Sequence, residues 1–329
     1  MRAVVITGAG GPEVLEVREV ERPRAGSGEV LVRVRASALN RADLMQREGR
    51  YPAPPGAPAD IPGLEVAGEV EEVGRGAMLW KPGDRVFGIV GGGAHAEYVV
   101  VHERVLAAIP ARLSWTDAGA VPEAFITAHD ALVTQADVRP SETVLIHAVG
   151  SGVGLAAVQL ARSAGAVPFG DARTADKIER AREFGLEDGV TVGNDLGPLV
   201  ASVGRWTGGA GVQIVLDLAG GPYLAASIHA AATRGRIILI GTMAGRDASL
   251  PLGVILGKRL MIRGTMLRAR PLEEKILATR AFAAQVVPLL ARGSVRPVVD
   301  RVFPLAQIAA AHAYLESNSS FGKVVLEIA

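Results

Sequence analysis

A chain of 329 residues, 49% hydrophobic, 21% charged and 4% aromatic, is long enough for one large or two ordinary domains and reads as a packed globule. The formal net charge is +1, with acidic and basic residues interspersed, which speaks against a nucleic-acid surface. Cysteine is absent, which excludes disulfides, thiol nucleophiles and cysteine-ligated zinc.

The six histidines show no H-x-x-x-H pairing, so no metal is expected. The apolar part of "MRAVVITGAGGPEVLEV" is too short for a signal peptide, and no run reads as a membrane span, so a cytoplasmic location is expected. Lysines number five against thirty arginines, a bias that fits either genome composition or selection for heat resistance.

In chain order, the first 110 residues read as strands. In "EVLVRVRA" (29–36), Val30, Val32, Val34 and Ala36 form one face and Leu31, Arg33 and Arg35 a wet one. Further strands are expected at 4–8, 66–74, 84–90 and 96–101, separated by turn signals. Residues 49–62, "GRYPAPPGAPADIP", hold five prolines and form neither helix nor central strand; they read as a surface loop or a semi-rigid lid carrying Tyr51. From about residue 122 short apolar strands (143–148, 166–170, 212–220, 235–241) alternate with helices (153–164, about 174–184), which implies right-handed crossovers and a parallel sheet. Helices at 271–293 and 304–318 and a strand at 322–328 follow.

The stretch "TVLIHAVGSGVGLAAVQLA" (143–161) carries the chemistry. A phosphate-binding turn needs a buried strand, a tight glycine turn and a helix whose free N–H groups face the phosphates. Gly152 lets the backbone approach a pyrophosphate and Gly154 lets helix and strand pack closely.

That stretch, with "ALNRADLMQREGRYPAPPGA" (38–57), "PGLEVAGEV" (62–70), "WKPGDRVFGIVGGGAHAEYVVV" (80–101), "VPEAFITAHDAL" (121–132) and the closing "GKVVLEI", resembles the zinc-free, zeta-crystallin-like quinone oxidoreductases of the medium-chain dehydrogenase/reductases, and among them the p53-inducible subgroup. The resemblance implies an α/β fold: a Rossmann doubly wound parallel sheet over residues 123–265, plus a GroES-like β-rich substrate domain built from 1–122 and 266–329. It makes Ser151, Gly152, Val153 and Gly154 the working turn and leaves Gly150 outside the fingerprint; the Ser151 hydroxyl could donate to a phosphate.

An NAD site places an acid after the second strand. In "VPFGDARTADK", alignment on Lys177 puts that position at Ala172 instead of Asp171, and Arg173, Thr174 and Lys177 offer a cradle for a 2′-phosphate, so NADPH is the expected cofactor. Thr127, Gly241, Thr242, Met266 and Leu267 match stretches that line the nicotinamide in the family. His147 reads as a hydrogen-bonding group beneath the turn.

Zinc-bearing relatives hold their metal with cysteines and the histidine of a G-H-E motif; here "GLEVAG" keeps Glu65 but has Leu64 in the histidine position. The expected reaction is therefore hydride transfer to an acceptor already electrophilic, a quinone or an activated alkene. Tyr51 could bond the acceptor oxygen or the cofactor ribose and deliver a proton, or be an ordinary lid aromatic. Asn40 could orient the acceptor or stabilise a turn, and Asp43 reads as a helix-start residue. An enone or enoyl-thioester reductase is the alternative, with Arg268 and Arg270 serving a phosphorylated carrier. A non-catalytic nucleotide-binding protein is the alternative of another class. The resemblance also implies a homodimer through "GRIILIG" (235–241) and "RLMIRGT" (259–265).

Overall fold

Valine-rich alternation in the first hundred residues pairs into an antiparallel sheet, as half-buried strands require. The computed structural model describes residues 1–328 and divides into two compact units, one of residues 1–126 with 267–329, the other of residues 127–266. The first boundary falls inside the helix Pro122–His129.

In the first unit, seven strands form one sheet. Glu29–Ala38 is its hub, pairing antiparallel with Glu65–Val73, with Tyr98–His102 and with the closing strand Lys323–Glu327. Val30, Val32, Val34 and Ala36 are buried as their alternation demands; Leu31, expected on the wet face, is buried as well. The register Val325↔Ala38 brings the start of the closing strand beside the residues just past Ala38, although about 280 positions separate them in sequence. The expected helix at 271–293 is two helices, Leu272–Gln285 and Val287–Arg292. Pro288 lacks an N–H and its ring collides with the preceding turn, so a continuous helix is broken there. The helix expected at 304–318 begins with a single tight turn at Leu305–Gln307 and runs as α-helix only over Ile308–Glu316.

The second unit is a six-stranded parallel sheet in the order Asp188–Thr191, Val167–Ala172, Thr143–Ile146, Val212–Asp217, Ala231–Leu239, Met261–Gly264. The chain starts in the middle, winds outward to one side, then returns and winds to the other. Strand order therefore reverses between Thr143–Ile146 and Val212–Asp217, and the carboxyl ends at such a reversal are where doubly wound sheets bind ligands. Ala231–Leu239 is paired on both sides, so the sheet edge expected at "GRIILIG" is corrected: on that side only Met261–Gly264 presents an unpaired edge.

Candidate active site

The glycine stretch lies at the sheet's reversal point. Thr143–Ile146 ends in a turn where Ala148 takes a left-handed φ of 52°, and the helix Gly152–Ser163 follows. Ser151 caps that helix, its Oγ accepting from the Gly154 N–H at 3.0 Å. The first-turn N–H groups of Gly152 and Val153 have no intrahelical acceptor, so they and the helix dipole form a cradle for an anion. A Cβ on Gly154 would collide with the Ala148 carbonyl oxygen and lie 2.9 Å from Val149 Cα, so close helix–strand packing requires glycine here. Gly150 has its own task. A Cβ there would lie 2.9 Å from Lys177 Cδ, so the missing side chain makes room for the lysine stem to cross the turn.

Beneath the turn, a closed polar network holds the backbone. His147 Nδ1 pairs with Asp171 Oδ2, His147 Nε2 meets Ser227 Oγ at 2.8 Å, and Ala148 N–H donates to Asp171 Oδ1 at 3.3 Å. Burial alone would lower the His147 pKa; the charge and hydrogen bond of Asp171 outweigh it and raise the value above that of a free imidazole. Asp171 is thus buried and spent inside the protein. The exposed residues after its strand are Arg173, which forms no ion pair among the described residues, and Thr174, whose side chain leaves the cap of helix Ala175–Arg182 unbonded. Gly241 and Thr242 follow the strand Ala231–Leu239, with the Gly241 N–H 3.3 Å from the Asp217 carbonyl, and Met266 is half exposed at the end of this unit. Thr127 is half-buried at the other end of the unit.

The first unit gathers a second set of groups. Asn40 precedes helix Arg41–Arg47, and Asp43 accepts from the Asn40 N–H at 2.7 Å and the Gly63 N–H at 3.1 Å, a buried helix-start carboxylate. The Asn40 amide donates to Ala38 O (3.2 Å) and Glu65 Oε1 (2.9 Å), and its Oδ1 accepts from Lys323 Nζ (2.7 Å). The half-buried side chain is thus hydrogen-bonded within the protein through both its amide nitrogen and its oxygen. Lys323 also donates to Leu39 O (3.0 Å) and pairs with Glu65 at 2.7 Å; both charges are buried. Glu65 Oε2 accepts from the Glu123 N–H at 2.8 Å.

Tyr51 sits half-buried in the proline-rich loop, with the Arg268 guanidinium 5.0 Å from its ring centroid. Arg268 is buried and donates to Gly91 O (2.8 Å), Gln46 Oε1 (2.6 Å) and Tyr51 O (3.4 Å). Gln46 in turn donates to Ala59 O, so the loop is tethered at two points. Arg268 is consequently a loop anchor, which corrects its expected use for a carrier phosphate. Burial raises the Tyr51 hydroxyl above its usual range, although Arg268 pulls the other way. Leu267 is buried alongside Ile89, Val105 and Ile126, so any part it plays toward a cofactor is through its backbone. Glu123 and Lys323 escaped sequence reasoning: no spacing motif links residues 65, 123 and 323, and only the sheet register assembles them.

A β-rich unit that interrupts itself with a doubly wound nucleotide unit is the architecture of a dehydrogenase/reductase. Residues 26–111 match the alcohol dehydrogenase GroES-like domain and residues 197–326 match the zinc-binding dehydrogenase model. A quinone oxidoreductase of Pseudomonas aeruginosa is 33% identical over 96% of both chains. Among solved structures, Escherichia coli quinone oxidoreductase complexed with NADPH superposes with a TM-score of 0.89 at 28% identity, covering 99% of this chain and 100% of that one. The CurK enoyl reductase superposes at 0.85 with 25% identity, covering 100% and 99%. The chain belongs to the quinone oxidoreductase family of the medium-chain dehydrogenase/reductases.

Proposed function

We propose that this protein is an NADPH-dependent, metal-free oxidoreductase that reduces quinones by hydride transfer. The observation that carries the reading is the state of Glu65. Where zinc-bearing relatives polarise a carbonyl with a metal, this chain has Leu64 and a carboxylate paired with Lys323 and hydrogen-bonded by the Asn40 amide. Among the described residues, no three His, Cys, Asp or Glu side chains converge as ligands. A quinone is electrophilic without a Lewis acid and so suits a site of this composition.

The cofactor reading rests on Asp171. A carboxylate engaged by His147 and the Ala148 N–H does not serve a ribose 2′-OH, whereas Arg173, Thr174 and Lys177 suit a 2′-phosphate. The amides of Gly152 and Val153 and the Ser151 hydroxyl proton suit the pyrophosphate. When bound, the reduced nicotinamide supplies the hydride; the protein supplies position and electrostatics. Thr127, Gly241, Thr242, Met266 and the Leu267 backbone are assigned to the nicotinamide half. Tyr51 is assigned to hydrogen-bonding the acceptor oxygen, and Asn40 is a positioning residue acting through Glu65 and Lys323. The residue ranges 1–122 with 266–329 and 123–265 serve as acceptor and cofactor domains.

The enone or enoyl-thioester alternative shares this hydride geometry and fits the likeness to an enoyl reductase. A homodimer formed through the free edge of Met261–Gly264, where Ile262 and Met266 are exposed, completes the reading, as does a cytoplasmic location. No helix among the described residues is long and apolar enough to cross a membrane. The deciding experiment is a turnover panel of ortho- and para-quinones, an enone and a crotonyl thioester with NADPH and NADH. NADPH-linked quinone turnover is expected. Thioester turnover without quinone turnover selects the alternative, and binding of NADPH with no turnover on any acceptor selects a non-catalytic role. Light scattering tests the dimer.

A further inference from the structure

The sheet's reversal point has two lips, and only one of them carries the phosphate-binding turn. The opposite lip is the segment after strand Val212–Asp217, within the same unit. There Asp217 Oδ1 accepts from the Ala219 N–H at 2.9 Å and the Gly220 N–H at 2.8 Å, which folds the chain back sharply. Gly220 and Gly221 follow with φ of 68° and 54°, and a Cβ on either would lie 2.8 Å from a carbonyl oxygen, that of Gly241 or of Ala244. Pro222 then opens helix Pro222–Ala230, which sets Tyr223 in its first turn, at the mouth of the reversal.

The side chain of Tyr223 reaches back across that mouth. Its ring meets the His147 ring edge to face, with centroids 5.0 Å apart and planes at 77°. His147 is itself held at both nitrogens, by Asp171 and by Ser227, which lies one helical turn after Tyr223 on the same helix face. The aromatic body is thereby fixed against the strand end from which the glycine turn departs, and it packs on the core of this unit. The residue is half-buried; its hydroxyl makes no hydrogen bond among the described residues and is not sealed from solvent.

The charges around that hydroxyl show which end of the crevice it faces. Asp171 and Asp217 act on it from strands on either side of Thr143–Ile146, and Arg173 acts on it from two residues beyond Asp171. Burial and the Asp171 charge push the hydroxyl above its usual range, with Arg173 pulling the other way and Asp217 adding to the rise. It therefore keeps its proton and is a donor at neutral pH. Neither carboxylate accepts from it: Asp171 is engaged by His147 and the Ala148 N–H, and Asp217 Oδ2 is unbonded. A pre-positioned donor without a protein acceptor thus stands near an exposed guanidinium, a pairing that suits a phosphate.

We propose that Tyr223 is a cofactor-specificity residue, its hydroxyl donating to the 2′-phosphate of NADPH alongside Arg173. This rests on the NADPH reading above. The contact of the ring with His147 restrains the hydroxyl before the cofactor arrives, so little rotamer freedom is lost on binding. NADH offers a neutral 2′-hydroxyl at that position, which water serves as well. Tyr223 accordingly adds discrimination between the two cofactors and leaves general affinity alone.

The test uses the whole chain and the isosteric Tyr223→Phe variant, which keeps the ring against His147. The probes are adenosine 2′,5′-bisphosphate and adenosine 5′-monophosphate, titrated by calorimetry, so neither a nicotinamide nor an acceptor enters. The wild type is expected to prefer the bisphosphate. Tyr223→Phe should bind the bisphosphate about 10-fold more weakly, the size of a hydrogen bond to a charged group, and the monophosphate as before. Dissociation constants for NADPH and NADH should split in the same way. Phosphorus NMR supplies a second readout: between the two proteins the 2′-phosphorus resonance of the bound bisphosphate should move and the 5′ resonance should stay.

Full wild-type preference in Tyr223→Phe overturns the assignment and leaves the NADPH reading intact. An equal loss for both fragments also overturns it, because that marks support of the turn in place of contact with the 2′-phosphate. A wild type that binds the two fragments equally overturns the NADPH reading, and the role of Tyr223 with it.

Discussion

Two buried polar clusters, one in each unit, are satisfied to different degrees. Beneath the nucleotide turn, both nitrogens of His147 and both oxygens of Asp171 have partners, and the network is closed. In the β-rich unit only part of the polar cluster is closed. Asn40, Glu65 and Lys323 satisfy one another, Glu123 beside them has no partner, and His312 is fully buried with neither ring nitrogen hydrogen-bonded. A fully satisfied network fixes a backbone geometry, which suits a turn that must present amides to phosphates. A partly satisfied one shifts proton affinities, as the strongly lowered His312 value shows.

The contrast can be broken from either side. The largest effect is expected at Lys323. Lys323→Met strands the buried Glu65 carboxylate and should cost about 3–5 kcal/mol in denaturant unfolding, most of it recovered by adding Glu65→Gln. Next, Arg173→Ala combined with Lys177→Ala should reduce the preference for NADPH over NADH by about 100-fold, since charge-assisted hydrogen bonds to a phosphate are worth about 1.5–3 kcal/mol each. Paired titrations with the two cofactors read this, and an unchanged ratio would remove those residues from the site. Gly154→Ala should destabilise the second unit by about 1–3 kcal/mol through overpacking against the Ala148 carbonyl, and should weaken NADPH binding along with it.

The smallest effect concerns acid. Burial, with the charges of His95 and Arg47, drives the His312 pKa down to about 2. Below the pKa of an unfolded histidine, near 6.5, the unfolded chain takes a proton that the folded one refuses, so stability falls as pH falls. His312→Leu should remove on the order of 1 kcal/mol of the loss seen between pH 7 and 5.5. A thermal melt series with the same acid slope in both proteins would refute the assignment.

How much of this was legible in the sequence depends on the range of the interaction. Local signals held: "TVLIHAVGSGVGLAAVQLA" is strand, turn and helix, with the helix at Gly152–Ser163, and the alternation at 29–36 is the sheet's hub strand. Where a local signal was read alone it erred. Amphipathicity suggested one helix at 271–293, and Pro288 divides it. "GRIILIG" looks like any apolar strand, and only the pairing pattern shows that it lies inside the sheet.

The site was legible in proportion to its compactness. Ser151 to Gly154 are contiguous and were read together. Gly150 was set aside as lying outside the fingerprint, because its use depends on Lys177, which reaches it only in the folded turn. Asn40 was read as orienting an acceptor or stabilising a turn; its partners Glu65 and Lys323 come from distant strands, which no local pattern could link to it. Arg268 was matched to a carrier phosphate on its charge, and its burial against Gly91, Gln46 and Tyr51 assigns it a different task.

The scarcity of lysine turns the molecule into a nearly self-labelling one. Of five amines on side chains, Lys323 is buried and fully bonded, Lys258 donates to the carbonyls of Ile228, His229 and Ala231, and Lys275 is half-buried beside Ile89 and Val105. Lys177, lying across the glycine turn, is the one amine at the proposed phosphate cradle. An amine-directed reagent followed by peptide mapping therefore becomes a footprint of that turn, with Lys81 on the surface as the built-in reference for reagent dose.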